Sequence, residues 1–267
     1  MNILKLIFIG AVIVYLFFGA VLYFFQEQLI FLPEELPHDF NFEFENEFEE
    51  HLILTSQNGQ INLLHFKSMG SKGVIVYFHG NAGSLRRWGE IVSPFVELGY
   101  DVIIADYRGY GKSTSQRNQT TLLADADSVY GFAKDRTTED KIILFGRSLG
   151  SGFASYLAGK NHPSKVILET PFYSLDDIAQ RRFLIYPARY FLRYHFDSHE
   201  YLKNTKAPVY IFHGTDDEVV SYQSGKLLFE SLPENQGNLY TIEGGAHNNL
   251  HSFELYWNQI KSILLNE

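Results

Sequence analysis

The chain has 267 residues, a formal charge of −9, 16% aromatic residues (23 Phe and 17 Tyr) and no cysteine. That length holds one large domain or two small ones. The acidic balance offers no basic patch for a phosphate backbone, which excludes nucleic acid as a partner, and without cysteine there is no disulfide, thiolate nucleophile or thiolate metal site.

Residues 6–25 carry no charge and are mostly Ile, Leu, Val and Phe. Twenty such residues rise about 30 Å as a helix, the thickness of a bilayer's hydrocarbon core. No small-x-small cleavage site follows, so the run predicts an uncleaved anchor over 1–26 and not a signal peptide. Lys5 and the terminal amine lie on one side, and no Lys or Arg follows until Lys67. The positive-inside rule then puts the amino terminus in the cytoplasm and the rest of the chain across the membrane.

Pro33 and Pro37 break any helix beyond the anchor. Residues 27–50 read as an acidic linker that runs into a half-exposed first strand, the alternation of Phe40, Phe42 and Phe44 with Asn and Glu being its sign. From 51 to 267 strand-like runs fall at 51–55, 61–66, 73–79, 101–106, 141–145, 165–169, 208–213 and 238–242. Helix-like stretches fall at 85–98, 120–134, 149–159, 221–231 and 249–265. Two tandem strands followed by strand–helix alternation predict an α/β fold, a mostly parallel eight-stranded sheet with helices on both faces. Residues 171–204 interrupt the alternation with nine Phe and Tyr between two core strands, and predict a small helical cap.

Gly146-Arg147-Ser148-Leu149-Gly150 joins a strand-like run to a helix-like one. A serine between glycines at that junction is the nucleophile elbow of α/β-hydrolases, where a tight turn exposes the hydroxyl above the sheet. A serine hydroxyl needs a base within hydrogen-bond reach, and in this architecture an acid and then a histidine follow it in the chain. Both occur on loops after strand-like runs: Asp216-Asp217-Glu218 after Gly214, and His247 in Gly245-Ala246-His247-Asn248. His247 is the candidate base. Asp217 is preferred over Asp216 and Glu218 for the orienting carboxylate, on its offset from Gly214. The oxyanion that develops needs N–H donors, for which Leu149 and Asn81 are the candidates, with Ala82 second to Asn81.

These residues carry a family resemblance. With Leu29-Ile30-Phe31-Leu32-Pro33, His79-Gly80-Asn81-Ala82-Gly83, Asp106-Tyr107-Arg108-Gly109-Tyr110-Gly111-Lys112-Ser113, Glu169-Thr170-Pro171-Phe172 and His213-Gly214-Thr215-Asp216-Asp217, the chain resembles the Bem46-like branch of the α/β-hydrolase superfamily, which includes membrane-anchored mammalian α/β-hydrolase domain proteins. The resemblance spans nearly the whole chain in the same order. It implies an amino-terminal anchor and a triad of Ser148, Asp217 and His247. Ala246 stands where the family has glycine before the histidine. Some relatives remove acyl groups from lipidated proteins, which brings thioesters into view beside esters.

The expected partners are therefore the membrane and an acyl-bearing small molecule, lipid or protein. No cofactor and no metal are expected. A peptidase of the same superfamily would need an acidic subsite, for which Glu169 and Asp176 are candidates, and an idle hydrolase fold serving as a membrane scaffold is the non-enzymatic rival. Gly111-Lys112-Ser113 lacks the preceding glycine and following helix of a phosphate loop, with Asp106 and Arg108 reading as polar anchors there. His247 and His251 share zinc-helix spacing but lack the glutamate and a third ligand. His79 and His213 read as loop anchors. Arg147 is open between contacting an acidic substrate group and packing, and Glu169 reads as a strand-end anchor.

Overall fold

The computed structural model describes residues 3–265. Eight strands form one sheet: β1 (Phe48–Thr55), β2 (Gly59–Phe66), β3 (Val74–Phe78), β4 (Asp101–Ala105), β5 (Ile142–Arg147), β6 (Lys165–Glu169), β7 (Val209–Gly214) and β8 (Gly237–Ile242). Their order is β8-β7-β6-β5-β3-β4-β2-β1. β3 to β8 run parallel, and β2 is antiparallel to both β1 and β4. This is the predicted α/β-hydrolase sheet.

The alternation of side chains along a strand distributes the core. In β3, Val74, Val76 and Phe78 face one layer while Ile75 and Tyr77 face the other. The first layer is filled by α3 (Gln119–Lys134), α4 (Leu149–Lys160) and α8 (Tyr222–Glu230), and the second by α2 (Leu85–Glu97) and α9 (Glu254–Leu265). Near-continuous apolar strands are what a sheet covered on both faces requires.

Three expectations change in detail. The amino-terminal helix α1 spans Ile3–Ile30, four residues past the predicted anchor boundary, and the first two anchor positions lie outside the described residues. Residues 34–47 carry no strand. Their phenylalanines stack as a ladder, Phe40–Phe42–Phe44–Phe48, that reaches Phe66 of β2. The helix expected over 249–265 is broken: Leu250–Ser252 form a 3-10 turn, Phe253 is extended, and α9 begins at Glu254. Asn249 causes the break. Its side chain accepts from the Ala246 N–H at 2.7 Å and its carbonyl accepts from the Ser252 hydroxyl at 2.7 Å, which ties up the first turn.

Between β6 and β7 lie three short helices, α5 (Leu175–Arg182), α6 (Ala188–Phe191) and α7 (Ser198–Leu202). Ser174 caps α5 by accepting from the Asp177 N–H. Phe196 packs on Gly152 of α4, so closely that a Cβ there would lie 3.0 Å from the ring. The outer surface of this insertion meets α1. Tyr15, Gly19, Leu22 and Gln26, spaced as one stripe, are with Glu27 and Ile30 the more buried positions of an otherwise exposed helix.

Candidate active site

Ser148 sits between β5 and α4 at φ 51°, ψ −117°, a left-handed conformation that costs a non-glycine residue about 1–3 kcal/mol. Its neighbours make the turn feasible. A Cβ on Gly146 would lie 2.6 Å from the Gly150 carbonyl oxygen, and a Cβ on Gly150 would fall inside the backbone of Phe78. The Ser148 N–H donates to the Glu169 carbonyl at 2.9 Å, and its own carbonyl accepts from the Ser151 hydroxyl at 2.6 Å. The strained turn is thereby held from both sides.

Ser148 Oγ lies 3.0 Å from His247 Nε2, and His247 Nδ1 lies 2.8 Å from Asp217 Oδ2. The three side chains come from the ends of β5, β7 and β8. Asp217 Oδ1 accepts from the N–H groups of Val219 and Val220 at 2.9 and 2.8 Å. Burial opposes the Asp217 charge, but the hydrogen bonds from His213 and His247 and from the Val220 N–H outweigh it and hold the carboxyl well below the usual carboxylate range. Asp216 points elsewhere, accepting from the Thr215 hydroxyl, and Glu218 lines a neighbouring cavity.

The loop after β3 comes against the same serine: a Cβ on Gly80 would stand 3.8 Å from Ser148 Cβ. The Leu149 N–H is the first of α4 and has no acceptor within the helix. Asn81 is tied to the end of α1, its side-chain amide donating to the Ile30 carbonyl at 3.2 Å, and its carbonyl accepts from the Leu32 N–H and the Tyr110 hydroxyl. Leu32–Pro33 pair in parallel with Ala82–Gly83.

The remaining sequence candidates find structural partners. Arg147 is buried, 3.1 Å from Glu169, and reaches Asn248 Oδ1 at 3.3 Å. Glu169 also accepts from the Tyr256 hydroxyl at 2.8 Å. Asp176 is held by Arg189 and His195, each at 2.8 Å. His79 Nδ1 lies 2.7 Å from the Gly80 carbonyl, and His213 Nε2 lies 2.8 Å from the Val220 carbonyl. Lys112 binds Glu50 and Arg108 binds Asp125, and no helix follows Ser113, since α3 begins only at Gln119. His251 is exposed on the 3-10 turn.

Among the described residues, Glu49, His51 and His65 are the group with metal-like spacing, their donor atoms lying within 4.8 Å of one another. They stand at the β1–β2 edge, where Lys67 already lies 3.5 Å from the Glu49 carboxylate. Sequence spacing did not reveal this trio because cross-strand pairing assembles it. The α1 stripe was likewise missed, although a Gly, a Tyr and a Gln at helical spacing in an apolar run is a readable sign of helix packing.

A serine at a glycine-flanked strand–helix turn, against a histidine backed by a carboxylate, on this sheet order, defines an α/β-hydrolase. A sequence model for the alpha/beta hydrolase fold matches residues 73–190, and one for serine aminopeptidase S33 matches residues 176–254. The chain belongs to the α/β-hydrolase superfamily.

Among curated proteins it is 29% identical over 209 residues to alpha/beta hydrolase domain-containing protein 17C of Xenopus tropicalis, and 28% identical over 206 residues to that of Mus musculus. Those matches take in 75% and 74% of this chain but only 64% and 61% of the relatives' own lengths. Among solved structures, an esterase of Pyrococcus furiosus, Pf2001, superposes with a TM-score of 0.68 at 18% identity, over 88% of this chain and 97% of that one. Est1E of Butyrivibrio proteoclasticus, solved with ferulic acid, gives 0.65 at 20% identity over 79% and 97%.

Proposed function

We propose that the chain is a membrane-anchored serine hydrolase that cleaves a carboxylic ester or thioester through an acyl-enzyme. The observation that carries this reading is the 3.0 Å approach of Ser148 Oγ to His247 Nε2, with Asp217 on the other ring nitrogen. In the proposed sequence His247 accepts the Ser148 proton as Oγ attacks the acyl carbon. Asp217, anionic, accepts from Nδ1–H, which fixes the tautomer and stabilises the imidazolium. The N–H groups of Leu149 and Asn81 receive the oxyanion. The proton then passes to the departing alkoxide or thiolate, and a water repeats the cycle on the acyl-serine.

That Pf2001 is an esterase, and that Est1E binds ferulic acid, a carboxylic acid, fits an ester substrate. The serine aminopeptidase description favours an amide as the second reading. Both acidic candidates for binding a substrate amine are engaged, Glu169 by Arg147 and Tyr256, Asp176 by Arg189 and His195. That weighs toward esters. α1 is long and apolar enough to cross a bilayer, and we place it there, with the amino terminus in the cytoplasm, the linker over 27–50 and the hydrolase unit over 51–267 with its cap at 171–204.

The decisive test is labelling by a fluorophosphonate probe. Wild-type protein should label and Ser148→Ala should not; equal labelling of both would remove Ser148 from the mechanism. Aryl esters should be turned over faster than matched peptide amides.

A further inference from the structure

The strongest feature outside the reacting groups is a cavity of about 380 Å³, within the size range of small-ligand sites. Its walls are mainly apolar, with Gln26, Arg182 and Glu218 as the polar side chains among them. Leu22 and Leu29 of α1 form one side, and Ile178, Phe183 and Phe191 of the insertion form another. Val219, two residues after Asp217, and Ile30, whose carbonyl accepts from Asn81, also line the cavity. Ser148 is not part of the lining. The cavity adjoins the loops that flank it.

The level of this cavity along α1 is informative. Glu27 is the first charged residue after the apolar run; it pairs with Arg193 at 3.2 Å and accepts from the Tyr194 hydroxyl, which marks the aqueous boundary. The insertion descends from there. Gln26 donates to the Phe191 carbonyl and accepts from the Arg193 N–H. Twelve residues back along the helix, Tyr15 stacks on Tyr186 at 4.7 Å. At 1.5 Å per residue that descent is about 18 Å, roughly the depth of one leaflet.

The tip carries exposed apolar side chains, and of the exposed arginines beside it Arg181 is paired with Asp177 and Arg189 with Asp176 and Asp197. Leu184, Ile185 and Tyr190 are 78%, 70% and 85% exposed. Three of its backbone groups have side-chain partners: the Ile185 carbonyl accepts from the Tyr15 hydroxyl, the Leu184 carbonyl from Gln180, and the Ala188 N–H donates to Gln180. Irregular chain at membrane depth is tolerated only when its polar groups are satisfied by protein.

We propose that the insertion is immersed in the leaflet beside α1, and that this cavity binds the long acyl chain of a membrane-resident substrate, which enters sideways from the bilayer. The membrane helix is then a wall of the binding site as well as an anchor. This rests on the serine-hydrolase reading and names its substrate class.

The test uses the full chain in phosphatidylcholine vesicles with acetyl and palmitoyl esters of 4-methylumbelliferone. Filling the cavity by Ala179→Trp should lower the palmitoyl-to-acetyl ratio of kcat/KM by about tenfold or more. An unchanged ratio in folded Ala179→Trp protein would overturn the proposal. Should that variant fail to fold, Ile185→Asp at the exposed tip should lower the same ratio in vesicles, and an unchanged ratio there counts equally against it. A palmitoyl glycerol ester and an S-palmitoyl cysteinyl peptide, run in parallel, separate the two sources of such a chain.

A second readout does not depend on turnover. Ser148→Ala protein exposed to a diazirine palmitate in vesicles should crosslink at residues 22–30 and 178–192. Crosslinks on the exposed face of α1 at residues 3–21 come from bulk lipid, so crosslinking there with none at residues 178–192 would overturn the cavity assignment. Absence of both ester turnover and probe labelling in wild-type protein would defeat the serine-hydrolase reading, and crosslinking would still decide the cavity.

Discussion

At Ser148 the left-handed backbone exists only because the residues around it leave no alternative. Gly150 shows how narrow the tolerance is, since any side chain there meets the Phe78 backbone. Gly150→Ala should cost about 3 kcal/mol or more in urea denaturation, or fail to fold. Asp217 permits a pH experiment. Its folded carboxyl is held below the ordinary value of about 3.9, so the stabilisation it gives is present above that pH and is lost as pH falls toward the folded value. The difference in melting temperature between wild type and Asp217→Asn should therefore be constant at neutral pH and shrink below about pH 4. The same substitution should lower kcat by about 10³–10⁴, because an amide in place of the carboxylate no longer fixes the imidazole tautomer.

At the scale of elements, β5, β6 and α9 are joined by one buried network, Arg147–Glu169–Tyr256. It sits directly behind the serine turn, and through Asn248 it touches the loop that carries His247. Glu169→Gln would leave the Arg147 guanidinium buried without its counter-charge, a loss of about 3–5 kcal/mol. The double variant Arg147→Met/Glu169→Leu, which removes both charges, should recover most of that stability in chemical denaturation. Equal destabilisation by the single and double variants would show that the pair's charge is not what matters. Burial raises the Tyr256 phenol well above its usual range, and the Glu169 carboxylate adds to the effect, so Tyr256 remains a donor at every physiological pH.

At the scale of the whole molecule, α1 presents Phe, Leu, Ile and Val outward over most of its length, with exposures of 47–70% at residues 3–9. The full chain should fractionate with membranes and resist alkaline extraction. A chain lacking residues 2–25 should be released by alkaline extraction, since only the insertion would then touch the bilayer. The cut belongs there because Gln26 and Glu27 bond to the insertion and Leu32–Pro33 pair with the loop after β3. Recovery of the full chain in the aqueous fraction would count against the anchor.

The residues themselves determined the sheet, its order of elements and the serine turn, because apolar periodicity and a glycine-flanked serine are local properties of a strand and a turn. The apolar run of 6–25 was equally legible, since insertion energy sums over neighbours in the chain. Three things waited on tertiary structure. Packing at the end of β7 settled which of Asp216, Asp217 and Glu218 faces His247, by giving Asp217 two backbone N–H partners that aim it inward. The break before α9 came from Asn249 bonding to its own turn, which apolar spacing does not register. The meeting of α1 with the insertion joins Tyr15 to Tyr186, 171 residues apart. Contacts at that separation depend on how every intervening element packs, and no local pattern encodes them.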